Sequence, residues 1–320
     1  MSFPIVFATD TNYLAPTYVA INSLLRNINS ETDIELFILG SKISDINKQR
    51  FYDLSPKITF LETSLMYNIR SAHLSEELSY ISIATYYRFL IPELLSEYDS
   101  CLYLDSDIII RGDITPLLKL PIEDYTIIGA KNHFSQDYDI NFYKARCFDC
   151  SIPNLDQYVN AGVLLMNLKK LRENDLYKEL IEDAVHNVYP YNDQDVLNKY
   201  CYGSIGIIGA KYNFMAQYLK DIHNASIALN ENAAIAADNC IIVHYATKNK
   251  PWAYRGYLMA NLWAEEMNLI ESKEIKKDFI QPFIQNTRRR MTLKERIADN
   301  IKYILRKYIL RDFRYSFQRK

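Results

Sequence analysis

The sequence predicts an α/β fold, a mostly parallel sheet flanked by helices, followed by a basic helical tail. Three observations lead there. Short apolar runs alternate with amphipathic stretches through the first half of the chain, the pattern of strand–helix units wound around a sheet. Polar and acidic residues follow directly on several of these runs, where an open α/β sheet places its ligands. Residues 286–320 hold twelve Lys and Arg against three acids while the whole chain carries −2, so the remainder carries −11 and the tail is a separate electrostatic object.

The apolar runs Pro4–Ala8, Ile34–Leu39, Ile58–Leu61, Cys101–Leu104 and Thr126–Ala130 are the predicted strands of the first half. Pro16–Asn27, Ser44–Leu54 with a serine cap, and Ser82–Ser96 are the predicted helices between them. From Phe134 to Pro153 periodicity disappears, which predicts a long binding loop or lid. Tyr158–Leu168 then reads as a strand, Lys169–Asn187 and Asn192–Tyr200 as helices, and Cys240–Tyr245 as a strand ending near a histidine.

At 320 residues and 49% apolar content the chain can bury one large core. No N-terminal segment joins a basic start to an apolar run, and no stretch reaches about 18 uninterrupted apolar residues, so neither export nor a membrane crossing is expected. Five cysteines, an odd number set mostly among apolar neighbours, predict reduced thiols in a cytoplasmic setting. Cys147 and Cys150 form a lone C-x-x-C with no second pair or nearby histidine, too little for a metal or redox site.

The chemistry concentrates in Leu102-Tyr103-Leu104-Asp105-Ser106-Asp107-Ile108, where two carboxylates interrupt an apolar run. In a straight strand they share one face, a costly placement unless a cation compensates, and divalent ions are often held by one or two carboxylates plus substrate phosphates. An acidic turn between strands is the alternative. His244 closes a second apolar run and is either a third ligand to an ion such as manganese or a hydrogen-bonded core residue. Lys248 and Lys250, ahead of Pro251-Trp252, can meet phosphate or stand solvated. After the first strand, Ala8-Thr9-Asp10-Thr11-Asn12 lacks the G-x-G-x-x-G fingerprint of dinucleotide enzymes; Asp10 and Asn12 can grip a nucleobase or ribose, or cap the next helix.

The ordered segments IVFATDTNY, ISIATYYRFLIPELL, CLYLDSDIIIRGDITPL, YVNAGVLLMNLKKLR, YNDQDVLN, KYNFM and HYATKNKPW resemble glycosyltransferase family 8, especially its bacterial lipopolysaccharide and lipooligosaccharide galactosyl- and glucosyltransferases. The likeness runs from Ile5 to about Trp252. It implies a GT-A type, Rossmann-like catalytic domain over residues 1–285, a UDP-galactose or UDP-glucose donor, a saccharide acceptor and retention of anomeric configuration. It also implies roles: Ala8, Asp10, Asn12, Arg88, Ser106, Asn160 and Lys250 bind the donor, Asp105, Asp107 and His244 hold manganese, with magnesium as the alternative ion, and Asp193 and Gln194 serve catalysis. Gln194 is a poor nucleophile, so front-side attack is expected rather than a covalent intermediate, with Asp193 as the backup nucleophile. One departure stands out, since Thr247 falls where relatives commonly carry glycine before Lys-Pro-Trp.

Two other readings stay open. The Asp105-Ser106-Asp107 segment is similar to the first motif of aspartate-nucleophile phosphatases, although Ile109 stands where those have Thr or Val. Eukaryotic priming members of family 8 glycosylate themselves, which makes a self-glycosylating protein the second alternative. In the tail, Leu293, Ile297, Ile301, Ile304, Leu305 and Tyr308 recur at spacings of three and four among Arg and Lys, an apolar stripe fit for an anionic membrane surface. A helix packed on the catalytic domain or on a partner is the alternative. The expected setting is the inner face of the cytoplasmic membrane, beside a lipid-linked acceptor, with no nucleic-acid partner.

Overall fold

The computed structural model describes residues 2–63, 83–132, 140–217 and 239–308. Among these, the strands β1 (Phe3–Ala8), β2 (Ile34–Gly40), β3 (Ile58–Glu62), β4 (Ser100–Leu104), β6 (Ile127–Lys131), β7 (Val159–Asn167) and β8 (Ile205–Ile208) build a seven-stranded sheet in the order β3-β2-β1-β4-β7-β6-β8. Only β7 runs against its neighbours, so the sheet is mostly parallel, as the sequence predicts. A second sheet joins β5 (Ile108–Ile110), β10 (Ile242–His244) and β9 (Phe214–Met215) in the order β5-β10-β9.

Alternation along the strands makes three layers. From β1, Ile5 and Phe7 enter one core with Tyr18, Ile21 and Leu24 of helix α1 (Leu14–Asn27), while Val6 and Ala8 enter the other with Tyr86 and Phe89. Strands buried on both faces read as unbroken apolar runs, which is why these strands were visible in the sequence.

Several elements depart from expectation. Ser82–Ser96 is not one α-helix: Ile83–Leu90 is a 3₁₀-helix, followed by the short α-helix Ile91–Leu94 with Pro92 in its first turn. Three residues per turn stack Thr85 under Arg88, which the site exploits. The aperiodic stretch after Phe134 contains a helix, Ile140–Asp149, whose one fully buried residue is the charged Arg146 and whose packed apolar residues Phe142, Tyr143 and Cys147 are only partly buried, a weak signal in sequence; residues 133–139 lie outside the described residues. The helix expected over Lys169–Asn187 is broken into Leu168–Arg172, a 3₁₀ turn and Leu176–His186, with Asp175 at φ 56° forcing the break. Helix α2 (Asp45–Leu54) starts after Ser44 as predicted, yet the serine side chain makes no capping bond.

Towards the C-terminus come α-helices Ala260–Leu269, Gln281–Arg289 and Leu293–Tyr308. The last, here αC, is docked by its polar side: Asp299 is 3% exposed whereas Leu293, Ile297, Ile301 and Ile304 are each more than half exposed. Among the described residues, no helix is long and apolar enough to cross a membrane.

Candidate active site

Topology brings the carboxylates and the histidine together. Strand β4 ends at Leu104, the chain turns through Asp105-Ser106-Asp107, and β5 leaves the turn. Strand β10 runs antiparallel along β5 with His244 opposite Ile108, and the Tyr245 amide donates to Asp107 O at 3.0 Å. One ligand atom from each of Asp105, Asp107 and His244 therefore falls within 4.8 Å of the others.

Each carboxylate spends one oxygen on the protein and turns the other to the histidine. Asp105 Oδ1 accepts from Arg88 Nη2 at 2.9 Å and from Tyr103 Oη at 2.8 Å, while Oδ2 lies 3.6 Å from His244 Nε2. Asp107 Oδ2 accepts from Lys250 Nζ at 2.5 Å, while Oδ1 lies 3.2 Å from the same imidazole nitrogen. Burial pushes the Asp107 carboxyl up, but Lys250 and His244 outweigh it and hold the group well below the usual carboxylate range. Asp107 thus stays an anion where it is needed.

The histidine tautomer follows from the backbone. The Gly162 amide donates to Asn160 Oδ1 at 3.0 Å, so the atom that Asn213 places on the same oxygen, at 2.9 Å, is its Nδ2. Asn213 then presents Oδ1 to His244 Nδ1 at 2.9 Å, and Nδ1 must carry the hydrogen. Nε2 is then the ring atom that faces the two carboxylate oxygens: with a hydrogen it donates to Asp107 Oδ1, and without one it offers a lone pair beside them, a donor set that suits a cation. The space matches: a Cβ on Gly162 would come within 2.2 Å of His244 Cε1 and 2.8 Å of Asp105 Oδ2, so only glycine leaves this wall open. The donor set, two carboxylates and one imidazole, fits a divalent ion of the manganese or magnesium type.

Beside this cluster lie Asn160, Asp193 and Gln194, the residues expected to meet the sugar. The helix Asn192–Cys201 packs against β7 and buries all three acidic and amide positions Asp193, Gln194 and Asp195. Gln194 Oε1 accepts from Asn160 Nδ2 at 2.9 Å and from the Ala161 amide at 3.1 Å, and its Nε2 donates to Tyr158 Oη at 3.1 Å. Tyr158 donates to Asp195, which is fully buried and ion-paired with Arg146. Arg88 bridges the two halves, with Nε 3.0 Å from Asp193 Oδ2 and Nη2 on Asp105. Burial raises the Asp193 carboxyl to about 6 against the pull of Arg88 and of the Thr85 hydroxyl.

Arg88, Asp105, Asp107, Asn160, Asp193, Gln194, His244 and Lys250 thus form one connected set. Ser106 ties the acidic turn to β1, donating to Ala8 O at 2.9 Å and accepting from Thr17 at 2.8 Å. Asp10 and Asn12 stand in the turn after β1, where Asp10 Oδ1 accepts from the Asn12 amide at 2.7 Å and the Tyr13 amide at 3.1 Å. The thiols are all free, and Cys150 lies against Asp195 and Arg146. Sequence reasoning missed Tyr103, Asn213, Gly162 and the Tyr158–Asp195–Arg146 group. Tyr103 is signalled by its position two residues before Asp105 on the same strand face, and Arg146 by nothing in the sequence.

A mostly parallel sheet whose strand ends carry two carboxylates, an imidazole and a buried amide cluster defines an α/β enzyme scaffold with a candidate cation site at its edge. Residues 4–256 match the model of glycosyl transferase family 8, and the chain belongs to that family. It is 31% identical over 269 residues to the glycosyltransferase GlyF of Streptococcus pneumoniae serotype 4, a match covering 81% of this chain and 60% of GlyF, so it spans less than two thirds of that relative. It is 27% identical to the lipopolysaccharide 1,2-glucosyltransferase of Escherichia coli K12, covering 78% of this chain and 72% of the relative. The galactosyltransferase LgtC, solved with donor and acceptor sugar analogues, superposes with a TM-score of 0.70 at 26% identity, covering 86% of this chain and 99% of LgtC.

Two variants test this geometry. Gly162→Ala should keep the native circular dichroism spectrum and weaken manganese binding about tenfold or more, because the methyl enters the space between Asp105 and His244. Calorimetric titration with manganese, without any sugar nucleotide, reads it. Tyr158→Phe leaves the Arg146–Asp195 pair in place but removes the partner of Gln194 Nε2, and should lower kcat about threefold to tenfold with little change in donor KM.

Proposed function

We propose that the protein transfers galactose or glucose from a UDP-sugar to a saccharide acceptor with retention of anomeric configuration, in the synthesis of lipopolysaccharide or another surface glycan. The observation that carries this is the convergence of Asp105 Oδ2, Asp107 Oδ1 and His244 Nε2 beside the Gln194 amide, in a chain of glycosyl transferase family 8. The relatives point the same way, since LgtC is a galactosyltransferase and the Escherichia coli relative acts on lipopolysaccharide.

Breaking the bond between the anomeric carbon and phosphate leaves negative charge on the diphosphate and positive character on the sugar ring. A divalent ion held by Asp105, Asp107 and His244 supplies Lewis-acid stabilisation of the first charge. Lys250 adds a second positive group at the same edge, with its Nζ already against Asp107. Ala8, Asp10, Asn12 and Ser106 form the end of the site assigned to the uridine part, and Asn160, Asp193 and Arg88 the end assigned to the sugar hydroxyls. Gln194 turns its amide oxygen to that end and stabilises the ring's positive character without bonding to it. Asp195 is excluded as nucleophile by complete burial and by Arg146, and Asp193 is held by Arg88 and Thr85. Front-side attack follows, with the departing phosphate oxygen accepting the acceptor hydroxyl proton.

Residues 1–285 are the catalytic domain in this reading, and 286–320 attach it to the inner face of the cytoplasmic membrane beside a lipid-linked acceptor. Helix αC supports the attachment: its apolar stripe of Leu293, Ile297, Ile301 and Ile304 faces away from the protein, exposed Lys294, Arg296 and Lys302 stand around it, and each basic residue near an anionic surface contributes about 1 kcal/mol.

Incubation with manganese and a panel of UDP-sugars should release UDP from UDP-galactose or UDP-glucose, and Asp105→Ala or Asp107→Ala should abolish release in a folded protein. Activity above about a tenth of wild type in both variants would sink the cation assignment, since a catalytic ion supplies several kcal/mol of charge stabilisation. For the tail, Ile297→Glu with Ile301→Glu alters only outward positions, so the protein should stay folded and active on soluble acceptors yet stop sedimenting with phosphatidylserine vesicles. Undiminished sedimentation would rule the anchor out.

A further inference from the structure

The family match ends at residue 256, and the segment beyond it does something the match does not describe. Immediately before that limit lies the turn that follows Lys250. Its own bonds are local: the amides of Ala253 and Tyr254 both donate to Lys250 O, at 3.0 and 2.9 Å. At its inner end Lys250 Nζ reaches Asp107 Oδ2 and, at 2.8 Å, Tyr245 O.

The outer side of the turn is gripped by the C-terminal segment. Arg288 Nη1 donates to Ala253 O at 2.9 Å. Asp299 Oδ1 accepts from the Gly256 amide at 2.7 Å, and Asp299 Oδ2 lies 3.3 Å from Arg288 Nη2, so the two side chains grip the turn as a pair. The approach is backbone to backbone: a Cβ on Gly256 would stand 2.7 Å from Asp299 O and 2.9 Å from Tyr303 N. Around this centre Tyr254 bonds Glu295 and Arg255 bonds Asn300.

A helix that serves only to cover a core turns its apolar stripe inward. αC does the reverse, and its polar contacts with the body gather on the turn after Lys250. Burying the Asp299 charge costs desolvation, which is recovered only through these two well-placed partners. We infer that Asp299 and Arg288 are positioning residues, which fix the Lys250 turn so that the ammonium stands at the cation site rather than sweeping the loop. The inference rests on the proposed role of Lys250 at the donor diphosphate. It also makes the membrane-facing helix a working part of the donor site, since αC carries Asp299 on the side opposite its exposed stripe.

The experiment measures affinity for UDP in saturating manganese, by calorimetry on the full chain, for Lys250→Met, Asp299→Ala, Asp299→Asn, Arg288→Met and the double variant Lys250→Met/Asp299→Ala. Asp299→Ala and Arg288→Met should each weaken UDP binding about fivefold, because each loses a charge-assisted bond to the turn. Asp299→Asn keeps an acceptor for the Gly256 amide and should stay within about twofold of wild type. In the Lys250→Met background, Asp299→Ala should add nothing, the mark of a residue that acts through Lys250 rather than through general stability. Wild-type affinity in both Asp299→Ala and Arg288→Met, or a full additional loss in the double variant, would overturn the inference. A Lys250→Met protein with unchanged affinity would instead remove the role of Lys250 on which it rests.

Discussion

Two carboxylates and one imidazole converge on a single point, and much of the surrounding structure exists to keep them there. Arg88 and Lys250 each neutralise the far oxygen of one carboxylate, leaving the near oxygens free to converge. Asn213 holds the hydrogen of His244 on the opposite side of the ring, and the missing side chain of Gly162 keeps the gap open. These residues come from a 3₁₀-helix, β4, β7, β9's approach and the loop after β10, so the cluster forms only when both sheets are assembled. The fold is in this sense the framework that holds two carboxylates and an imidazole in an arrangement that a divalent cation would fit.

The same polar atoms continue without interruption into the Gln194 region. Asn160 is the hinge of this continuity, since it binds Asn213 with its oxygen and Gln194 with its nitrogen. Behind Gln194, Tyr158, Asp195 and Arg146 form a second buried charged group that never meets the first except through amides and a hydroxyl. Complete burial and the Arg146 pair keep Asp195 behind Gln194, and the proposed front-side attack rests on the Gln194 amide, with Asp193, the backup nucleophile, held by Arg88 and Thr85.

The strands of the main sheet were legible because burial on both faces writes them as unbroken apolar runs, and the acidic turn was legible because carboxylates inside such a run need a reason. His244 was visible for the same cause, as a polar residue closing an apolar strand. Beyond Arg88 and Lys250, the partners of these residues were not. Asn213 lies in a loop whose composition carries no periodic signal, and Arg146 is a charged residue more deeply buried than the apolar residues of its own helix, the opposite of what amphipathic patterning detects. The tail was legible as an amphipathic helix, but its pattern cannot say which face docks, and only Asp299 against Gly256 decides that the polar face does. Thr247, the departure from the family pattern, bonds Tyr257 at 2.6 Å and so belongs to the same braced turn.

The measurement that bears most directly on this account is anomalous diffraction from crystals of the protein soaked in manganese. It should show one strong peak bounded by Asp105 Oδ2, Asp107 Oδ1 and His244 Nε2, with the Asn213 contact to the opposite ring nitrogen retained. An absence of manganese between these three atoms at saturating concentration, or a peak held by other residues with His244 still against the carboxylates, would contradict it.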